Sequence, residues 1–119
     1  MNQRWKYFSD AEVQGLQDDL IFKLDRAREL YGEPIIITSG YRSPAENDAV
    51  GGVKRSAHTE GKTVDIRCPN PLQQMRLIWA LTIAGFRRVG QYSSHIHVDI
   101  ELPEDNRPSP AFWNGGDSH

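Results

Sequence analysis

Apolar and polar positions alternate along the chain in patterns that predict two helices and several short strands around a long polar interruption. Val13, Leu16, Leu20, Leu24, Ala27 and Tyr31 recur at intervals of three and four, which gives one apolar face of a helix. Ser9-Asp10-Ala11-Glu12 has the form of a capping box with Phe8 and Val13 at the flanking staple positions, so this helix is expected to begin there. Gly32 supplies a left-handed cap at its end and Pro34 prevents continuation. Ile35-Ile36-Ile37-Thr38 is then a β-branched run that reads as a buried strand. Residues 63–67 alternate, with Val64 and Ile66 on one side and Thr63, Asp65 and Arg67 on the other. Leu72, Met75, Ile78, Trp79, Thr82 and Ile83 predict the buried face of a second helix, closed by Gly85. Residues 86–92 and 95–102 read as two paired strands.

Between Ser39 and Gly61 the periodicity gives way to Gly, Ser, Pro, Asn and charge, with at most a short helix opened by Pro44. So long a loop in so small a domain points to function. The tail, residues 103–119, holds three prolines and two glycines and is expected to be an irregular extension, pinned by Phe112 and Trp113. The expected architecture is a single small α+β domain over residues 1–102, an antiparallel sheet with flanking helices, followed by that extension.

The length of 119 residues allows one core and therefore one principal site. Fourteen Lys and Arg against sixteen Asp and Glu give a net charge of −2, without the basic excess that a phosphate backbone attracts, so nucleic acid is not expected as a partner. No apolar stretch reaches membrane-spanning length. The first twelve residues lack the apolar run of a signal peptide, so synthesis in the cytoplasm is expected, with action outside it only after release by lysis or similar. The one cysteine, Cys68, can form neither an intrachain disulfide nor a thiolate cluster and reads as a buried thiol. Any metal must rest on histidine and carboxylate.

Three of the four histidines fall in two short segments, His58 to Asp65 and His95-Ile96-His97-Val98-Asp99. Strand alternation puts His95, His97 and Asp99 on one face, with Ile96, Val98 and Ile100 turned into the core. Gly61 allows a loop-borne His58 to fold back towards Asp65. A single strand histidine is ordinarily a hydrogen-bonded surface group. Two imidazoles and a carboxylate together suit zinc, and three protein ligands leave a fourth position open, the arrangement of a catalytic site. Gly51-Gly52 with Lys54-Arg55 lacks the spacing and preceding strand of a phosphate-binding loop. Trp5, Trp79 and Trp113 read as packing residues, with Trp5 or Trp113 also placed to line a groove.

Ser56-x-His58-x-x-Gly61-x-x-x-Asp65 followed by His95-x-His97, with Thr38-Ser39-Gly40-Tyr41-Arg42-Ser43 upstream, resembles the zinc D-alanyl-D-alanine carboxypeptidase family. Its wider superfamily includes D-Ala-D-Ala dipeptidases, phage endolysin peptidases and the hedgehog signalling domain. The resemblance runs over residues 35–100 and implies that fold, with His58, Asp65 and His97 as zinc ligands. It implies proton transfer or oxyanion stabilisation by His95, which matches a histidine of the carboxypeptidase branch two positions before the last ligand. Arg42 would hold a substrate carboxylate or carbonyl, since a guanidinium offers a planar fork. Ser56 would orient the loop, and Asp99 would support the ligands or the strand.

Two positions depart from the family. Thr63 stands where alanine is usual, a change expected to affect packing beneath the site. Ser94 stands where the dipeptidase and several endolysin branches carry a Glu or Asp base, and a serine cannot take that role at neutral pH; Glu60, beside the turn, reads as a solvated side chain. The resemblance implies a monomeric zinc peptidase of peptidoglycan stem peptides, carboxypeptidase-like. The alternatives are an endolysin-type endopeptidase of the same peptides and a non-enzymatic zinc module, the latter opposed by the presence of His95 and Arg42.

Overall fold

The structure is a computed structural model and describes residues 4–39, 61–100 and 110–115. Its elements in chain order are α1 (Asp18–Tyr31), β1 (Ile37–Ser39), β2 (Thr63–Arg67), α2 (Pro71–Ala84), β3 (Arg88–Gln91), β4 (His95–Asp99) and β5 (Ala111–Asn114). The capping box forms, with the Ser9 N–H donating to Glu12 Oε1 at 2.9 Å and the Glu12 N–H to Ser9 Oγ at 3.2 Å. It starts only a turn, however, and α1 begins later than the sequence predicts. Gly15 adopts φ 81°, which ends the first turn, and the Gln17 N–H donates outside the helix to the Gly61 carbonyl at 2.9 Å. A Cβ on Gly61 would lie 2.3 Å from the Gly15 carbonyl oxygen, so the two backbones meet where only glycine fits.

From Asp18 the helix runs as expected. Leu20, Ile21, Leu24, Ala27 and Tyr31 are buried, and the Gly32 N–H closes the helix on the Arg28 carbonyl at 3.0 Å. The Asp25 carboxylate accepts from the backbone N–H groups of Lys6 and Tyr7 at 3.1 and 2.8 Å, strapping the N-terminal segment across the helix. Helix α2 has Asn70 as its cap, accepting from the Gln73 N–H at 3.1 Å, and Pro71 in its first turn.

The buried side of α2 is not the predicted one. Gln74, Leu77, Ala80, Leu81 and Ala84 face inward, whereas Leu72, Met75, Trp79 and Ile83 are each at least half exposed. The helix is apolar almost all round, so periodicity alone had no contrast with which to select a face. Packing selects the side carrying small Ala80 and Ala84, which allows close approach to α1, and Gln74, which satisfies carbonyl groups described below.

The sheet has the order β1-β2-β4-β3-β5. The first four strands are antiparallel as expected, and β5 joins β3 in parallel, which makes the sheet mixed. Residues 111–114 are therefore a strand, not part of an irregular extension. The Ala111 N–H donates to the Arg87 carbonyl at 2.7 Å and the Gly115 N–H to the Gln91 carbonyl at 2.8 Å. Strand β1 is shorter than the isoleucine run, with Ile36 exposed. Val64, Ile66, Val89, Ile96 and Val98 form the apolar face of the sheet and share one core with Phe8, Leu20, Leu24, Leu77 and Leu81. Full burial of each such side chain stabilises the fold by about 1.5–3 kcal/mol. The other face carries the polar alternates, and the site stands there. Among the described residues no helix is long and apolar enough to cross a membrane.

Candidate active site

Strand register builds the site row by row. Asp65 on β2 lies opposite His97 on β4, His97 lies opposite Gly90 on β3, and Gly90 lies opposite Trp113 on β5. The neighbouring row is Thr63, Asp99, Arg88 and Ala111, and on the other side Arg67 pairs with His95. Period-two alternation puts these side chains on the face away from the apolar core.

His97 is gripped at both ring nitrogens. Its Nδ1 is 3.0 Å from Asp65 Oδ1 and its Nε2 is 2.9 Å from Asp99 Oδ2. A neutral imidazole has one N–H and one lone pair, so it can donate to only one of two carboxylates. The second contact requires another positive charge on that line, which a proton or a metal cation can supply. In the metal-free protein it is a proton: burial works to lower the His97 pKa but is outweighed by the hydrogen bonds and charges of Asp65 and Asp99, which raise it to about 9. The side chains of Asp65 and His97 are 23% and 20% exposed, so their shared edge is reachable, while Asp99 is only 2% exposed and lies behind the ring. The donor chemistry of the Asp65–His97 edge, one carboxylate oxygen and one imidazole nitrogen, fits zinc.

The Thr63 hydroxyl, fully buried, donates to the Val98 carbonyl at 3.0 Å and places its oxygen 3.1 Å from His97 Nε2. A position expected to matter only for packing thus touches the ring directly. Behind it the Arg88 Nε donates to Asp99 Oδ1 at 2.6 Å, both groups buried. The Trp113 indole lies against His97 at 5.5 Å between ring centroids, and the Arg88 guanidinium lies 5.0 Å from the centre of the same indole. Gly90 makes room for it, since a Cβ there would lie 2.4 Å from Trp113 Cε2.

His95 stands on the same face, one alternate before His97. Its ring stacks on Tyr92 at 4.5 Å with the planes 5° apart, and its Nδ1 is 3.1 Å from Ser94 Oγ. Trp113 Nε1 donates to the Tyr92 hydroxyl at 3.1 Å, so an aromatic line runs from β5 to His95. The tight hairpin that carries His95 is fastened to α2 by Gln74, whose Nε2 donates to the carbonyls of Cys68 and Tyr92, each at 2.7 Å.

Of the residues singled out in the sequence, the structure brings together Asp65, His97 and Asp99 and sets His95 beside them. His58, Arg42, Ser56 and Glu60 lie outside the described residues, and among the described residues no group of three possible ligands surrounds one point. Sequence pattern did not single out Arg88, Gly90 or Tyr92. The signal was present in the pairing of residues 86–92 with 95–102, because a hairpin register puts Arg88 opposite Asp99. Cys68 is buried as expected, and burial pushes its thiol pKa up, which disfavours the thiolate form.

The family described as Peptidase M15 matches residues 2–99. Among solved structures, the Serratia marcescens L-Ala D-Glu endopeptidase ChiX superposes with a TM-score of 0.62 at 17% identity, covering 82% of this chain and 90% of that one. A search of curated proteins found no match.

Proposed function

The chain belongs to the Peptidase M15 family, a family of metal-dependent hydrolases, and from that premise we propose that it is a zinc peptidase acting on the stem peptides of peptidoglycan. The observation that carries this reading is the His97 ring between two carboxylates, Asp65 Oδ1 3.0 Å from Nδ1 and Asp99 Oδ2 2.9 Å from Nε2, a pair of contacts that needs one proton or cation more than a neutral imidazole carries. Asp65 and His97 would hold the zinc, with His58 as third ligand by the family motif. Zinc bound there would polarise the scissile carbonyl and acidify water. His95, stacked on Tyr92 beside that edge, would move a proton to the leaving amine or stabilise the oxyanion. Arg42 would orient the substrate through a carboxylate or carbonyl.

Two bonds are in question. The fold neighbour is named for cleavage between L-Ala and D-Glu, inside the stem, which supports an endopeptidase. His95, two positions before His97, matches the carboxypeptidase branch, which supports removal of a terminal D-alanine. Either substrate lies in the cell wall, so the proposal places the action there. The test is incubation of purified stem pentapeptide with zinc-loaded and chelator-treated protein, read by mass spectrometry. The expected result is zinc-dependent loss of either terminal D-alanine or the L-Ala–D-Glu linkage. An intact peptide in the presence of one bound zinc would overturn the peptidoglycan reading.

A further inference from the structure

Arg88 and Asp99 are an ion pair 8% and 3% exposed, in register on adjacent strands and joined at 2.6 Å. Burying two charges is a poor way to stabilise a sheet, because desolvation offsets most of the attraction and two apolar side chains of similar volume would serve as well. The pair has another use written into its geometry. Asp99 spends one oxygen on Arg88 and turns the other, Oδ2, to His97 Nε2 at 2.9 Å. Trp113 closes the assembly, with its indole against both the Arg88 guanidinium and the His97 ring. Gly90 leaves room for that indole, and Trp113 stands on β5, beyond the residues 2–99 that the family match covers.

We propose that Arg88, Asp99 and Trp113 are positioning residues for His97: the Arg88–Asp99 pair, shielded by Trp113, keeps the ring proton on Nε2 and turns the Nδ1 lone pair towards Asp65 for the metal. The proposal rests on the zinc reading above. Without Asp99 the ring can rotate or exchange its proton to Nδ1, and the ligand must be reorganised before metal binds. A carboxylate accepting from the far nitrogen also makes the near one a better donor, and loss of such a partner typically weakens metal affinity about 10- to 100-fold. Arg88 fixes which way the carboxylate faces, and Trp113 excludes water that would compete for both. Strand β5 is on this account a working part of the site.

The experiment uses the full chain in three versions beside wild type: Asp99→Asn, the charge-free double variant Arg88→Met/Asp99→Asn, and Trp113→Phe. Zinc affinity is measured by chelator competition, the melting temperature on the metal-free forms, and the His97 ring by ¹⁵N NMR on the zinc-loaded forms. Wild type is expected to show Nδ1 metallated and Nε2 protonated. Asp99→Asn and the double variant are expected to bind zinc about 10- to 100-fold more weakly, with a mixed ring signature, and Trp113→Phe to fall between them and wild type. The double variant leaves no lone buried guanidinium, so its weak binding with a metal-free melting temperature close to wild type counts for positioning. Zinc affinity unchanged in both Asp99 variants overturns the proposal while leaving the zinc reading intact, as does a wild-type ring metallated at Nε2. A fall in affinity that only tracks lost folding, with the ring signature unaltered, overturns it as well. A wild type that binds no zinc overturns both.

Discussion

At the residue scale, His97 concentrates the chemistry of the site. In the metal-free protein its pKa is raised from the ordinary 6.5 to about 9, so the folded chain holds that proton more tightly than the unfolded chain does. The resulting stabilisation is complete below pH 6.5, declines above it and is lost as the pH rises through about 9. The melting temperature of chelator-treated protein should therefore fall between these limits, and His97→Gln should remove that part of the slope. Zinc-loaded protein should also lack it, because the nitrogen that would titrate is engaged. His95 makes the complementary case. It shares the strand face of His97 but stacks on Tyr92 and contacts Ser94, not Asp65. His95→Ala is expected to keep its zinc and lose about a hundred- to ten-thousand-fold in turnover, the usual worth of a positioned acid or base. Metal analysis alongside kcat separates the two roles; a variant that loses zinc as His97→Ala does would make His95 a ligand.

At the element scale, the helices show where pattern suffices and where it does not. The face of α1 was legible because apolar and polar residues contrast around it. That of α2 was not, because Leu72, Met75, Trp79 and Ile83 are as apolar as Leu77 and Leu81, and the choice between them is made by what each side meets. The clue was the polar residue on the unfavoured side. Gln74 is 4% exposed, its Nε2 donates to the Cys68 and Tyr92 carbonyls and its Oε1 accepts from Gln91 Nε2 at 3.0 Å. Gln74→Leu, close in size, should destabilise the chain by about 1–3 kcal/mol, the penalty for leaving buried carbonyls unsatisfied. Denaturant unfolding checks this. Met75→Gln on the exposed side should change stability by no more than about 0.5 kcal/mol, the reverse of the order that periodicity predicts. The capping box gives the same lesson in smaller form: its local bonds form, but the close approach of Gly15 and Gly61, a contact between distant parts of the chain, decides where α1 begins.

At the scale of the whole molecule, the α+β class, the hairpin of β3 and β4 and the polar face with Asp65, His95 and His97 were all legible, because alternation and a spaced motif are local signals. The role of β5 was not. Its pairing is parallel, so no tight turn announces it, and the match of Trp113 to Gly90 exists only once both strands are in the sheet. The same scale holds the question of which bond is cut, and Arg42 offers a way to decide it. A guanidinium pairs two nitrogens with a carboxylate, whereas a lysine ammonium is a hydrated point charge that cannot reproduce that fork. A carboxypeptidase must recognise the free terminal carboxylate of its substrate; an endopeptidase need not. kcat/KM is therefore to be compared on a stem peptide with a free C-terminus and on the same peptide amidated there, for wild type and Arg42→Lys. Terminal D-alanine removal requires wild type to prefer the free acid and the lysine variant to lose most of that preference, with zinc content unchanged. Equal cleavage of both peptides by wild type, with products separated at the L-Ala–D-Glu bond, assigns the chain to cleavage within the stem and gives Arg42 a carbonyl to hold in place of a carboxylate.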